Sequence, residues 1–230
     1  MKIRKDGWIT YWAIVVITCA LTSCFEIREE ITIAKDGSGS YALIIDMSAS
    51  KSMIDLAMSM PIAKDRTPFQ QIDSSFAKGI AKLSQIKGIT HPRAIDNRQE
   101  YIFGMAFDFD NVEALNAALN QSTQQEGEVE EMPTFIFKKK ELTRNNRPLA
   151  NSLAELNVFG STPEGAQQIQ AILQGASYAY IVRPKTGKIR SFTNQQAEIK
   201  ESGKIFSYRV GLLDLLKGNT SPSSTIKFKF

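Results

Sequence analysis

The chain has 230 residues and a net charge of +4, and it contains one histidine and two cysteines. The length is ample for a hydrophobic core and suits one large domain or two small ones. A charge so close to neutral does not indicate a nucleic-acid partner. A single histidine excludes a metal site built on paired histidines.

The N-terminus is typical of a secretion signal. Lys2, Arg4 and Lys5 form a basic start, and residues 8–21 follow as an apolar stretch of 14 residues. A membrane-spanning helix needs roughly 20 apolar residues, so this stretch is too short to span a bilayer. A short apolar segment followed by small residues is the pattern of a cleavable signal peptide.

The end of that segment resembles the bacterial lipobox. Leu21, Thr22, Ser23 and Cys24 follow its order of a branched apolar residue, two small residues and a cysteine. The resemblance implies cleavage between Ser23 and Cys24. It also implies a diacylglycerol on the Cys24 thiol and an N-acyl group on its new amino terminus, with no other cofactor. A plain signal peptide and an uncleaved N-terminal anchor are the alternatives.

Cleavage before Cys24 removes residues 1–23 and leaves 207 of the 230 residues, which we expect to form a single domain, 24–230. The other cysteine, Cys19, lies in the removed segment, so the mature chain can form no internal disulfide. Two acyl chains are enough for a stable anchor, because each buried CH₂ contributes ~0.8 kcal/mol. The remaining cysteine therefore indicates attachment to a membrane.

Apolar and polar residues alternate from Phe25 onward, which predicts two strands joined by a hairpin turn at Asp36 and Gly37. Two helices are predicted next, ending at Pro61 and Gly88. Further strands are predicted at 89–95, 101–109, 134–142, 177–184, 188–192, 204–213 and 224–230, and helices at 112–119 and from Ser161. Hairpins with helices inserted between them indicate an α+β fold, an antiparallel sheet with helices packed on one face.

The strand at 101–109 has one large aromatic face. Phe103 and Phe107 lie on that face, whereas the residues between them are small at the centre of the strand. Met53 and Met58 lie on the first predicted helix, and methionine adapts to varied apolar partners. These four residues are the candidate lining of an apolar ligand site, and an ordinary core is the alternative interpretation.

Two acids follow the centre of the same strand. Asp108 and Asp110 share a face, and paired carboxylates act as acid and base or bind a metal. Asp110 and Glu113 also have the spacing of a capping box for the next helix, and this structural interpretation is the stronger one. We therefore expect no catalytic residue and no metal site, and a hydrolase or metal-dependent enzyme using Asp108 and Asp110 is a minor alternative.

The opening run 24–48, CFEIREEITIAKDGSGSYALIIDMS, resembles the start of a class of small bacterial lipoproteins. The later stretches YAYIVRP (178–184) and RVGLLDLLKG (209–218) resemble the closing segments of that class. The chain is thereby similar to the LppM-like lipoprotein domains. The resemblance implies an α+β envelope protein that handles lipid, and it transfers no functional residue other than Cys24.

These observations predict a lipid-anchored cell-envelope protein that binds a lipid or another envelope protein and is not an enzyme. A structural or assembly role at the outer membrane, without a ligand pocket, is the alternative. Phe25 follows Cys24 where an inner-membrane retention signal has aspartate, which favours the outer membrane over the inner. Glu26, Glu29 and Glu30 resemble the acidic residues that favour surface export in some bacteria, although the strand pattern also accounts for them.

Overall fold

The computed structural model describes residues 25–59, 68–121, 133–146 and 173–230. The predicted signal peptide, Cys24 and the helix predicted from Ser161 lie outside these residues. In chain order the elements are β1 (Glu26–Ile33), β2 (Gly39–Asp46), α1 (Lys51–Ser59), α2 (Pro68–Leu83), β3 (Ile89–Asn97), β4 (Ile102–Phe109), α3 (Val112–Gln121), β5 (Phe135–Lys138), β6 (Glu141–Arg144), β7 (Ser177–Pro184), β8 (Lys188–Phe192), β9 (Ala197–Lys200), β10 (Ile205–Gly211), α4 (Leu212–Leu216) and β11 (Ser224–Lys229).

Seven strands form the larger sheet, in the order β3-β4-β2-β1-β7-β10-β9. The predicted α+β class is confirmed, and neighbouring strands of this sheet are antiparallel with one exception. Strands β1 and β7 pair in parallel over their whole length, from Glu26 opposite Ser177 to Ile33 opposite Pro184. A parallel pair needs a crossover connection, and the long intervening chain provides it here.

Four strands form a second sheet, in the order β5-β6-β11-β8. The sequence predicted one strand over 134–142, but the structure has two, β5 and β6, joined by a tight turn. Lys139 and Lys140 both have positive φ in this turn, 50° and 66°. Two consecutive positive φ values are typical of the type I′ turn that closes a two-residue hairpin. The turn lacks the usual Asn-Gly signal, so periodicity alone did not detect it.

The hydrophobic core lies between the inner faces of the two sheets. Ile31, Phe107 and Tyr178 come from the larger sheet, and Leu142 and Ile226 come from the smaller one. Helix α3 closes part of the same core with its buried face, which includes Leu115. The helices were expected to cover the sheet face by themselves, and the structure shows that a second sheet shares this role.

Helices α1 and α2 lie beside the hairpin that joins β3 to β4. The Lys51 ammonium donates to a Glu100 carboxylate oxygen at 2.8 Å, and the Arg98 guanidinium donates to Asp73 of α2. Within the described residues, no helix is both long enough and apolar enough to cross a membrane.

Two boundaries differ from the sequence prediction. Asp110 does not cap α3: the Asn111 side-chain oxygen accepts the N–H of Ala114 at 2.9 Å, which is the geometry of an N-cap. The predicted strand over 204–213 ends at Gly211, and Leu212–Leu216 is a short helix.

Candidate functional site

The inner face of the larger sheet is closely covered at one end and open in its middle. Tyr41 and Phe107 face each other across β2 and β4 and are about 95% buried, with their rings stacked at 5.3 Å between centroids. Leu43, two residues further along β2, is 40% exposed on the same face. Its cross-strand neighbour Met105 and the next residue on the face, Ile45, are half-buried. We call Leu43, Ile45 and Met105 the open section.

Helix α2 borders the open section. A Cβ placed on Gly79 would lie 2.7 Å from the Met105 sulfur, so the helix passes close to the strand and a larger residue at position 79 would displace the flexible end of Met105. Phe76 and Ile80 lie on the same helix and are half-buried. The open section is therefore an apolar strip of sheet beside an amphipathic helix.

The four residues predicted to line a ligand site do not form one set. Phe103 is buried and lies opposite Ile45 across β2 and β4, so it adjoins the open section. Phe107 is buried in the main core against Tyr41. Met53 is 61% exposed on α1, and the side chain of Met58 lies outside the described residues.

A buried ion pair lies next to the open section. Glu29 of β1 is the cross-strand neighbour of Leu43, and its carboxylate accepts from the guanidinium of Arg144 of β6 at 2.9 Å. Both side chains are more than 90% buried. Because β1 and β6 belong to different sheets, this pair connects the two sheets through the middle of the core.

Three tyrosines surround the pair. The hydroxyls of Tyr41 and Tyr178 donate to the Glu29 carboxylate, the first at 3.2 Å. The Arg144 guanidinium carbon lies 5.1 Å from the centroid of the Tyr180 ring, within the range of a cation–π contact. We call these five residues the Glu29–Arg144 cluster.

Burial sets the protonation states in the cluster. Burial raises the pKa of Tyr41 and of Tyr178 well above the usual tyrosine range, and the Glu29 charge raises both further. Burial by itself would lower the pKa of Arg144, but the charge and hydrogen bond of Glu29 together with Tyr178 and Tyr180 outweigh it, so the pKa is raised. The tyrosines therefore stay neutral donors, and the arginine stays charged.

Two polar groups of the cluster are left without a hydrogen bond. Among the described residues, the Tyr180 hydroxyl and Nε of Arg144 are buried and have no hydrogen-bond partner. Such a group costs roughly 1–3 kcal/mol when it is removed from water. Glu29 and Arg144 were not among the site residues predicted from the sequence. Glu29 could have been noticed, because it is in phase with the buried residues Ile27 and Ile31 of the same strand.

The outer face of the same strand carries partly exposed ion pairs. Glu26 accepts from Arg209. Glu30 accepts from Arg28 and from Arg183, and each of these two distances is 2.8 Å. Exposed pairs of this kind contribute about 0–1 kcal/mol each. Of the three acids that resembled an export signal, two are thus paired on the surface and Glu29 lies in the core.

Asp108 and Asp110 do not form a carboxylate pair with shared partners. The Asp108 carboxylate lies 3.1 Å from Nδ1 of His91, and both side chains are exposed. His91 sits in a bulge of β3, between Thr90 and Arg93, with a φ of 50°. Asp110 is exposed beyond the end of β4. The described part of the chain contains no group of three or more His, Cys, Asp or Glu residues placed to hold a metal ion.

The chain matches no family model, and no curated protein is similar to it. Among solved structures, it is similar to the folded domain of LppM from Mycobacterium tuberculosis, determined by NMR. The TM-score is 0.41 and the sequence identity 10%, over 91% of each chain.

Proposed function

We propose that this chain is a lipid-anchored cell-envelope protein whose folded part binds an acyl chain and catalyses no reaction. The anchor is the diacylglycerol on Cys24, and the binding site is the open section with Phe103 beneath it. The observation that carries the binding site is the exposure of Leu43 on the inner face of the larger sheet, between the buried Tyr41 and the half-buried Ile45.

The size of the open section favours an acyl chain over a protein. A stable protein interface buries about 800 Å² on each partner. One exposed leucine and two half-buried side chains offer at most a few hundred Å², since even a large aromatic side chain buries only ~150–250 Å². A single acyl chain needs no more than such a strip, and each CH₂ that it buries contributes ~0.8 kcal/mol.

The binding test uses residues 25–230, delipidated with organic solvent and titrated with a fluorescent fatty-acid analogue. The unaltered domain should bind it saturably, and the Leu43→Ser variant should bind at least about tenfold more weakly, because burying a leucine is worth ~1.5–3 kcal/mol. Ile199→Ser is the matched control, since Ile199 is a similarly exposed apolar residue on the edge strand β9. Absence of binding would contradict the proposal and would favour an envelope-protein partner. Equal binding by the Leu43→Ser variant would place the site elsewhere.

The anchor is tested by the intact mass of the chain isolated from membranes. We expect residues 1–23 to be absent and Cys24 to carry the diacylglycerol and the N-acyl group. The Cys24→Ala variant should retain its signal and lose the lipid mass, whereas the Cys19→Ala variant should be processed normally. A mature chain with a free Cys24 thiol would contradict the anchor. Separation of the two membranes then tests the outer-membrane location.

A further inference from the structure

The first strand starts almost at the predicted lipid attachment site. The Ser177 N–H donates to the Phe25 carbonyl oxygen at 3.0 Å, so Phe25 is already fixed to the sheet. Cys24 is its neighbour in the chain, and consecutive Cα atoms lie about 3.8 Å apart. A lipid on Cys24 would therefore hold this end of the sheet at the membrane surface, with no linker to separate them.

Helix α1 lies at the same end of the sheet. Glu26, the first residue of β1, is level with Asp46, the last residue of β2. Asp46 accepts the N–H of Ser48 at 3.0 Å and so starts the short 3₁₀ turn that leads into α1. The chain thus places α1 at the end of the sheet where β1 starts, against the turn between β3 and β4.

One face of α1 is hydrogen-bonded to the turn between β3 and β4, and the other side of the helix exposes apolar side chains. Lys51 donates to Glu100, and Asp55 accepts from the Tyr101 hydroxyl at 2.6 Å. These two residues are four apart and share a helix face. Met53 and Leu56 are 61% and 62% exposed. At about 100° per residue Met53 projects opposite to Lys51 and Asp55, and Leu56 lies beside Met53, about 120° from the mean direction of Lys51 and Asp55.

The other end of the sheet is polar. Strand β1 has eight residues, so its last residue, Ile33, lies roughly 23 Å from Glu26. The turns at that end expose Lys35, Asp36 and Lys185. In the described segments, the large apolar side chains that are exposed are Leu43, Met53, Leu56 and Ile199. Two of these four belong to α1, at the end of the sheet where β1 starts.

We propose that Met53 and Leu56 insert into the interfacial layer of the bilayer that holds the Cys24 lipid, so that the domain stands on the membrane in one orientation. This inference rests on the proposed lipid anchor. The partner of this apolar face is the bilayer, because no linker separates the lipid on Cys24 from β1 and the membrane surface therefore lies close to α1. A helix with an apolar face and a polar opposite face is suited to the boundary between lipid headgroups and acyl chains.

Tryptophan fluorescence tests this orientation in the full chain. Both tryptophans of the sequence, Trp8 and Trp12, lie in the segment removed with the signal peptide. Met53→Trp or Leu56→Trp therefore gives a mature chain with one reporter. Each variant is purified from membranes with its lipid, its acylation is checked by intact mass, and it is placed in vesicles of phosphatidylethanolamine and phosphatidylglycerol with brominated acyl chains.

We expect the emission of both variants to shift to shorter wavelength and to be quenched by the bromine. The control is Ile199→Trp, because Ile199 is level with Ile31 through β10 and β7, about 17 Å along the sheet from Glu26. Its emission should remain that of exposed tryptophan. An acylated chain whose Met53→Trp and Leu56→Trp variants escape quenching would overturn the inference and leave the anchor intact. An unmodified Cys24 would overturn both.

Discussion

Replacement of Arg144 by methionine tests the role of the buried ion pair. The change leaves the Glu29 carboxylate in the core with only the hydroxyls of Tyr41 and Tyr178 as partners. Removing one member of a buried ion pair costs about 3–5 kcal/mol, because the remaining charge is not compensated. In a chain of this size 1 kcal/mol lowers Tm by about 2–4 °C. We therefore expect the Arg144→Met variant to melt roughly 6–20 °C lower.

The assay is urea unfolding of residues 25–230 followed by circular dichroism. The matched control is the double variant Glu29→Leu/Arg144→Met, which removes both charges and should recover most of the lost stability.

Either of two results would refute this reasoning. A cost below about 1 kcal/mol for Arg144→Met would be the value of an exposed ion pair and would mean that water reaches Glu29. A double variant as unstable as the single one would mean that the loss comes from packing around Arg144 and not from the unpaired carboxylate.

The remaining predictions concern neighbouring side chains. Tyr178→Phe should cost about 1.5–3 kcal/mol, because it removes a hydrogen bond to a charged group, whereas Tyr180→Phe should be neutral or stabilising, because its hydroxyl is buried without a partner. Equal urea midpoints for the two variants would contradict the hydrogen-bond assignment. Burial raises the pKa of Tyr178 and of Tyr180, so the fold favours their neutral forms. The stabilisation gained by keeping these two tyrosines neutral is fully present below the pKa of an exposed tyrosine, about 10. Above that pH, the stabilisation from each tyrosine falls by up to about 1.4 kcal/mol per pH unit. Urea midpoints between pH 8 and pH 11 should fall less steeply for Tyr180→Phe, and identical pH profiles would argue against its burial. Asn111→Ala should cost about 1 kcal/mol through loss of the α3 cap, and Asp110→Ala should cost almost nothing. The opposite ranking in thermal melts would restore Asp110 as the cap.

The sequence predicted the regular elements well where one face of a strand is buried. Strand β4 alternates between large and small side chains, and its observed register with β2 places Phe103, Met105 and Phe107 on one face. The two-residue period of a half-buried strand makes such a face visible without a structure.

Long-range pairing was not predictable in the same way. The parallel pairing of β1 with β7 joins residues about 150 positions apart, and no local pattern specifies it. Arg144 lies at the end of a four-residue strand, two residues beyond the strand predicted over 134–142. Only the second sheet, which folds over β1, brings Arg144 to Glu29 and makes both residues part of the core.

The candidate site was predicted only in part, because its shape also depends on long-range packing. Phe103 was selected from its strand and does adjoin the open section. Leu43 was not selected, although the alternation in β2 places it on the inner face. What distinguishes Leu43 from Tyr41 on that face is where the covering layer ends, and this depends on how the second sheet and α2 pack.

The most direct test of acyl-chain binding is the native mass of residues 25–230, produced in the envelope without the lipidation signal and purified gently. We expect the unaltered domain to carry an added mass that organic solvent removes. The added mass should remain in the Ile199→Ser variant and be lost in the Leu43→Ser variant. A bare mass for the unaltered domain would contradict the account, because the open section would then hold no lipid under the conditions in which the protein works.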